Sequence, residues 1–252
     1  MWFRSRSSKD TSRVIYSAYT DAGSRPGTNQ DSIYAFNRSD FAVFCVADGM
    51  GGHVGGEVAS SQIVRSIERW STSLPTPYQA GAVNLFDGFE SIVDEANSII
   101  YNQYNQGSIC GSTLSAVIIY KGKYCAVSAG DSRVYRADGA GMIQITRDDV
   151  WQGFGNTDEY DANKGKLLKA VGVSENLICN RISGSIKRND LFFICSDGIY
   201  KTLGDEYLNL LPQVTRKADS ASDLDIIMNS VRTKVAELGA PDNNSGILIR
   251  CM

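Results

Sequence analysis

The sequence predicts an α+β fold, a largely antiparallel core flanked by helices. Three observations lead there. Apolar runs of strand length recur along the chain, and the runs ending in Asp48-Gly49 and Asp197-Gly198 do not alternate polar with apolar, as expected of strands covered on both faces. Helical stripes are confined to a stretch in the first half and another near the end. The order is strands, two helices, many strands, then helices and a last strand, not the βαβ alternation that builds parallel sheets.

In chain order, Val14 to Thr20 reads as a strand, followed by a turn region from Gly23 to Asn29. Ser32 to Phe36 makes a short second strand, and Asn37 to Asp40 turns into the run beginning at Phe41. That run ends on Asp48, glycines follow at once, and Gly56 opens a helical pattern. Ala59, Ile63, Ile67 and Trp70 share one helical face, which Pro75 and Pro77 terminate. Leu85, Phe89, Ile92, Ala96 and Ile99 then step by three and four residues, the signature of a second amphipathic helix. Leu114–Tyr120, Tyr124–Ala129, Arg133–Arg136 and Met142–Ile145 follow on short connections and predict an antiparallel meander. Arg147 to Lys166 is polar and is expected to be a mobile insertion. Leu177–Ile182 and Asp190–Cys195 resume strand character, and Tyr207 to Leu211 looks helical. Leu224, Ile227, Met228, Val231, Val235 and Leu238 mark a final helix with Gly239 as its C-cap, and Ser245 to Cys251 closes the chain as a strand.

The length of 252 residues and the absence of a Pro- or Ser-rich linker favour one domain over residues 13–252, with a short flap insertion at 147–171. Residues 1–12 are basic and polar without an apolar core, so they read as a flexible leader, neither a secretory signal nor a membrane span. A net charge of −3 gives no electrostatic case for nucleic acid. Of the six cysteines, Cys45, Cys125, Cys195 and Cys251 lie in apolar strand-like runs, and no C-x-x-C spacing occurs. Free thiols fit a reducing, cytoplasmic setting.

Five acidic residues stand out by context. Asp31 follows Arg25-Pro-Gly-Thr-Asn-Gln30; Asp48 and Asp197 end apolar strands before glycine; Asp131 follows Gly130 at a strand end; Asp242 precedes the last strand. With His53 the only histidine and no paired cysteines, carboxylates, carbonyls and water are the available ligands, a set that selects Mg²⁺ or Mn²⁺ over zinc or copper.

In these motifs the chain resembles the bacterial form of the PP2C (PPM) family of metal-dependent serine/threonine protein phosphatases. The matching segments are Arg25-x-x-x-Asn-Gln-Asp31, Val46-Ala-Asp-Gly-Met-Gly-Gly-His53 with Gly55-Gly-Glu-Val-Ala59, Gly111-Ser-Thr113, Gly130-Asp-Ser-Arg-Val-Tyr135, and Cys195-Ser-Asp-Gly198 with Asp242-Asn243. They span nearly the whole chain in order. The resemblance implies a four-layer α/β/β/α sandwich of two mostly antiparallel sheets, and hydrolysis of phosphoserine and phosphothreonine in proteins by a metal-activated water. It implies that Asp48 bridges two Mn²⁺ or Mg²⁺ ions with the Gly49 carbonyl on one, that Asp197 and Asp242 complete the other, and that Asp31 acts through bound water. Asp131 matches a residue that holds a third ion together with Asp197 in bacterial members. Arg25 would bind the substrate phosphate with its planar fork. Two divalent ions close together acidify water and clamp an in-line displacement, so no phosphoenzyme is needed. The implied partners are phosphorylated proteins, substrates of a serine/threonine kinase, acted on by a monomer.

The chain departs from the family pattern at Met50, where eukaryotic members carry histidine, at Asp149, where many relatives have histidine, and in its short flap. The residues do not assign the general acid, and His53 is read as packing at a helix start in preference to donating a proton. A cysteine phosphatase would need Cys-x5-Arg; Gly51, Ala116, Asp131, Ser185 and Lys201 stand at the decisive positions. The competing readings are a catalytically silent phosphoprotein-binding module and an enzyme for small phosphorylated metabolites. Degenerate relatives lose ligand aspartates, and this chain keeps every matched one.

Overall fold

A computed structural model describes residues 14–51, 55–104, 109–137, 141–151 and 165–252. The leader at 1–12, His53 and the middle of the flap lie outside the described residues. One sheet has the order β1 (Val14–Asp21), β11 (Asn244–Cys251), β10 (Leu191–Cys195), β7 (Arg133–Ala137) and β8 (Met142–Gln144), with antiparallel neighbours throughout. The other has the order β2 (Asp31–Asn37), β3 (Phe41–Gly51), β5 (Leu114–Tyr120), β6 (Lys123–Ala129) and β9 (Asn180–Ser185), also antiparallel. A short β4 (Cys110–Ser112) pairs only with the end of β3.

The period of two in the strands makes three apolar layers out of these two sheets. In β3, Ala42, Phe44 and Val46 point between the sheets, where Val117, Ile119, Phe192, Ile194, Ile247 and Ile249 meet them. Their alternates Phe41, Val43, Cys45 and Ala47 pack under α1 (Gly55–Ser73) and α2 (Ala82–Tyr104). On the far side Leu191, Phe193, Cys195 and Leu248 pack under α3 (Asp197–Leu208) and α5 (Ala221–Glu237), with the short α4 (Leu211–Val214) between them. The result is the four-layer α/β/β/α sandwich. Every residue of β11 is buried, as a central strand with both faces covered requires.

Four expectations need correcting. The run at Phe41 does not end at Asp48, because β4 extends the ladder to Gly51. The buried face of α2 holds Val93 and Ile100 in place of Ile92 and Ile99, so the stripe is turned by one position. The expected meander is broken: β6 and β7 belong to different sheets, and the chain crosses between them at Gly130–Ser132, with Gly130 at a φ of 98°. A helix begins at Asp197, directly off the end of β10 and ten residues before the one expected at Tyr207, and Gly204 at φ 72° and ψ 168° kinks the element between the two. Both corrected junctions, at Gly130 and at Asp197, carry one of the singled-out aspartates.

Candidate metal centre

Asp31 opens β2 and faces Asp48 in the antiparallel register with β3. The other sheet contributes the remaining acids: Asp131 in the crossing from β6 to β7, Asp197 as the first residue of α3, and Asp242 just before β11. All five sequence-predicted aspartates therefore meet at one edge of the sandwich, where both sheets end.

The backbone of Asp48 is held on both sides by the Gly111-Ser112-Thr113 segment. Its N–H donates to Thr113 Oγ1 at 3.0 Å, and its carbonyl accepts from Thr113 N–H at 2.8 Å and from Ser112 Oγ at 3.0 Å. Thr113 Oγ1 also lies 2.6 Å from Ser132 Oγ, beside Asp131, so one buried threonine braces both neighbourhoods. Gly49 is required by contact: a Cβ there would stand 2.1 Å from the Gly56 carbonyl oxygen, and this approach lets α1 start against the end of β3. Gly198 plays the same part on the other sheet, where a Cβ would stand 2.0 Å from the Asn243 carbonyl oxygen. Asn243 ties the segments together through its side chain, accepting from Gln30 N–H at 2.9 Å and donating to the Ala22 carbonyl at 2.7 Å.

The acids act on one another. Burial raises the Asp48 carboxyl well above the usual range, and the charges of Asp31, Asp197, Asp131 and Asp242 add to the rise. Burial pushes Asp31 up to about 6, against the pull of the Ser245 and Ser196 hydroxyls. Asp131 is raised by burial and then by Asp197. Asp31 Oδ2 accepts from Ser196 Oγ at 2.8 Å, while its Oδ1 is buried without a hydrogen-bond partner among the described residues.

Two cations reach in. Arg25 Nη1 lies 2.7 Å from Asp242 Oδ1, and Lys201 Nζ lies 2.7 Å from Asp197 Oδ2 and 3.4 Å from Asp131 Oδ2. Burial alone would lower the Lys201 ammonium, but its hydrogen bond to Asp197 and the two carboxylate charges raise it. Among the described residues no three acidic side chains close on a single point, and a divalent ion bound here would share Asp242 with Arg25 and Asp197 with Lys201.

Of the departing positions, Met50 lies in β3 opposite Gly111. Asp149 is buried and structural: its Oδ2 accepts from Asn180 Nδ2 at 2.8 Å and from Gly130 N–H at 3.3 Å, and Lys169 pairs with its Oδ1 at 3.3 Å. Sequence reasoning missed Lys201, Asn243 as a brace, and the Thr113–Ser132 pair. Lys201 was findable, since a lysine four residues after an aspartate is an ion-pair spacing once the helix is known to begin at Asp197.

This layered fold is shared with solved bacterial proteins. PppA of Pseudomonas aeruginosa superposes with a TM-score of 0.78 at 25% identity, covering 96% of this chain and 99% of that one. The catalytic domain of PstP in complex with two manganese ions, at 24% identity and a TM-score of 0.73, covers 94% and 97% and speaks for the fold. The chain belongs to the protein phosphatase 2C family, whose model matches residues 24–237. Among curated relatives, PstP of Mycobacterium tuberculosis is 27% identical over 225 residues, 83% of this chain, which spans 41% of that protein's length. The serine/threonine phosphatase Stp of Listeria monocytogenes is 26% identical over 245 residues, 91% of this chain and 93% of that protein.

Proposed function

We propose that the chain removes phosphate from phosphoserine and phosphothreonine in proteins at a dinuclear Mn²⁺ or Mg²⁺ centre. The observation that carries the reading is the meeting of Asp31, Asp48, Asp131, Asp197 and Asp242 at one edge, close enough that four of them raise the fifth. Such mutual repulsion is tolerated in a folded protein when a cation relieves it. The donor set fits: carboxylate oxygens and the Gly49 carbonyl suit hard cations, and the orphaned Asp31 Oδ1 has a place for a cation's water to donate. Asp48 and the Gly49 carbonyl, with Asp197 and Asp242, would hold the two ions, and Asp31 would hold bound water.

Bound there, divalent ions supply a nucleophile from water at neutral pH and neutralise the charge of the phosphate. The chain's own residues do the rest. Arg25, half-exposed at the rim, offers two parallel N–H donors to a phosphate dianion on leaving Asp242. Ser196 fixes the rotamer of Asp31, and Ser112 and Thr113 fix the backbone that delivers Asp48. A cysteine nucleophile is disfavoured on physical grounds, since burial raises all six thiols, Cys45 up to about 12, away from the reactive thiolate. The proposal extends to products of a serine/threonine kinase as substrates, a monomeric enzyme, and a cytoplasmic location. No helix among the described residues is long and apolar enough to cross a membrane.

The test is hydrolysis of a phosphothreonine peptide and of a small aryl phosphate by the metal-loaded chain, with chelator, and with Asp48→Asn. Metal-dependent turnover lost in the variant is expected. Chelator-resistant turnover would sink the two-metal mechanism, and phosphopeptide binding without turnover would favour the silent module.

A further inference from the structure

Lys201 belongs to none of the matched motifs, yet its ammonium sits between two of the acids. It stands one turn into α3 from Asp197, so the helix itself delivers Nζ to Asp197 Oδ2 at 2.7 Å. Contact with Asp131, at 3.4 Å from its Oδ2, is different in kind, because Asp131 comes from the crossing between the sheets, 70 residues away in sequence. The lysine side chain is 55% exposed, whereas those of Asp131 and Asp197 are only 10% and 19% exposed. It therefore lies as a strap over two mostly buried carboxylates. Behind Asp131 the space is filled: the Tyr200 hydroxyl lies 3.5 Å from its Oδ2, and the Arg133 guanidinium, itself paired with Asp148, covers the Tyr200 ring at 3.7 Å.

We infer that the Lys201 ammonium is the built-in counter-cation of the Asp131–Asp197 pair, so that this chain holds two divalent ions and Lys201 excludes a third. This inference rests on the dinuclear reading above. A third ion on that pair would sit beside the ammonium that already contacts the Oδ2 atom of both carboxylates, and it would have to displace or abut that ammonium. Charge points the same way. Counted with every carboxylate ionised, the five acids against Arg25 and Lys201 give a formal charge of −3, which two divalent ions turn to +1 and a third would turn to +3 in the same small volume. The pair that the resemblance associates with a third ion is thus served here by a side chain. Its charge is carried by the chain itself and cannot be removed by a chelator.

A lysine that only staples the first turns of α3 would affect stability and leave ion counting unchanged, so the count is the discriminating readout. Mn²⁺ is titrated calorimetrically into the chelator-stripped full chain and into Lys201→Arg and Lys201→Gln, with free Mn²⁺ followed by its electron paramagnetic resonance signal. Wild type and Lys201→Arg are expected to bind two ions and Lys201→Gln three. Three ions in wild type, or two in a folded Lys201→Gln, overturn the inference while leaving the dinuclear reading intact; fewer than two in wild type overturn both. A measurement on the unaltered protein guards against a variant that does not fold. Acetylation of Lys201, followed by mass spectrometry, should stay as slow at saturating Mn²⁺ as without it, and a severalfold acceleration by Mn²⁺ would show the ammonium displaced and the inference wrong.

Discussion

Asp31 and Asp48 face each other directly across the β2–β3 ladder, two carboxylates in register at the one end of a sheet where nothing apolar separates them. Like charges opposed in this way destabilise a sheet. Burial is the main cause that raises both carboxyls, Asp31 to about 6; Asp31 adds to the rise of Asp48, and Asp197 and Asp242 add to that of both. An acid raised by folding binds its proton more tightly in the native state, so the metal-free protein loses stability as pH climbs from the unfolded value near 4 through about 6.

Replacing Asp48 by asparagine removes the repulsion and keeps the shape. In chelator at pH 7.5, Asp48→Asn is expected to be more stable than wild type by about 1–3 kcal/mol, read from the urea midpoint. At pH 4.5 the gap should shrink, because Asp31, raised to about 6, is then mostly protonated and the repulsion on Asp48 is relieved. With Mn²⁺ the order should reverse, since only wild type gains the full binding energy. Turnover should fall by about a hundredfold or more.

Thr113 shows how the site is braced. Its hydroxyl accepts from the Asp48 N–H and pairs with Ser132 in a buried setting. Thr113→Val keeps the volume and strands two polar groups, so a loss of about 1–3 kcal/mol is expected from chemical denaturation. Thr113→Ser should recover most of it. Mn²⁺ affinity should fall with Thr113→Val, because the same bonds aim Asp48 and the Asp131 loop.

Much of this was legible in the sequence, and the failures have a common cause. Asp48 and Asp197 could be picked out because buried strands announce themselves as unbroken apolar runs, and Asp-Gly at the end of such a run is a break in grammar. What one-dimensional periodicity does not encode is which sheet a strand joins. β6 and β7 read as hairpin neighbours because only Gly130–Ser132 separates them, although the chain changes sheets there. Lys201 stayed hidden for a related reason: its partner Asp131 is brought in by that same crossing. The buried turn of α2 was off by one residue because apolar side chains at 92, 93, 99 and 100 allow two overlapping stripes, and only packing against the sheet chooses between them.

Arg25 separates binding from folding. Its side chain is 48% exposed and its partner Asp242 is 39% exposed, so the ion pair contributes little to stability, about 0–1 kcal/mol. Arg25→Ala should therefore leave the thermal midpoint nearly unchanged while kcat/KM on a phosphopeptide falls by about tenfold to a hundredfold. Arg25→Lys should recover less than half of the loss on a logarithmic scale, since a point charge does not reproduce the fork. Steady-state kinetics on the three proteins checks both statements.

Asp149 is a buried acid that holds the crossing between the sheets in place. Its two oxygens take Asn180 Nδ2 at 2.8 Å, Gly130 N–H at 3.3 Å and Lys169 Nζ at 3.3 Å, and its backbone N–H donates to the Gly130 carbonyl at 2.9 Å. It thereby ties the crossing that carries Asp131 to β9 and to the segment returning from the flap. Removal of the carboxylate leaves a buried glycine N–H and an asparagine amide without their acceptor. Asp149→Ala should cost about 2–3 kcal/mol on those grounds. The Lys169 contribution is separable, because that lysine is 37% exposed and its pairing energy is screened: Lys169→Met alone should cost under about 1 kcal/mol. The decisive measurement is the double-mutant cycle in urea. A coupling between Asp149 and Asn180 larger than that between Asp149 and Lys169 is expected; the reverse order would mean that the ion pair, and not the buried hydrogen bonds, holds the crossing in place.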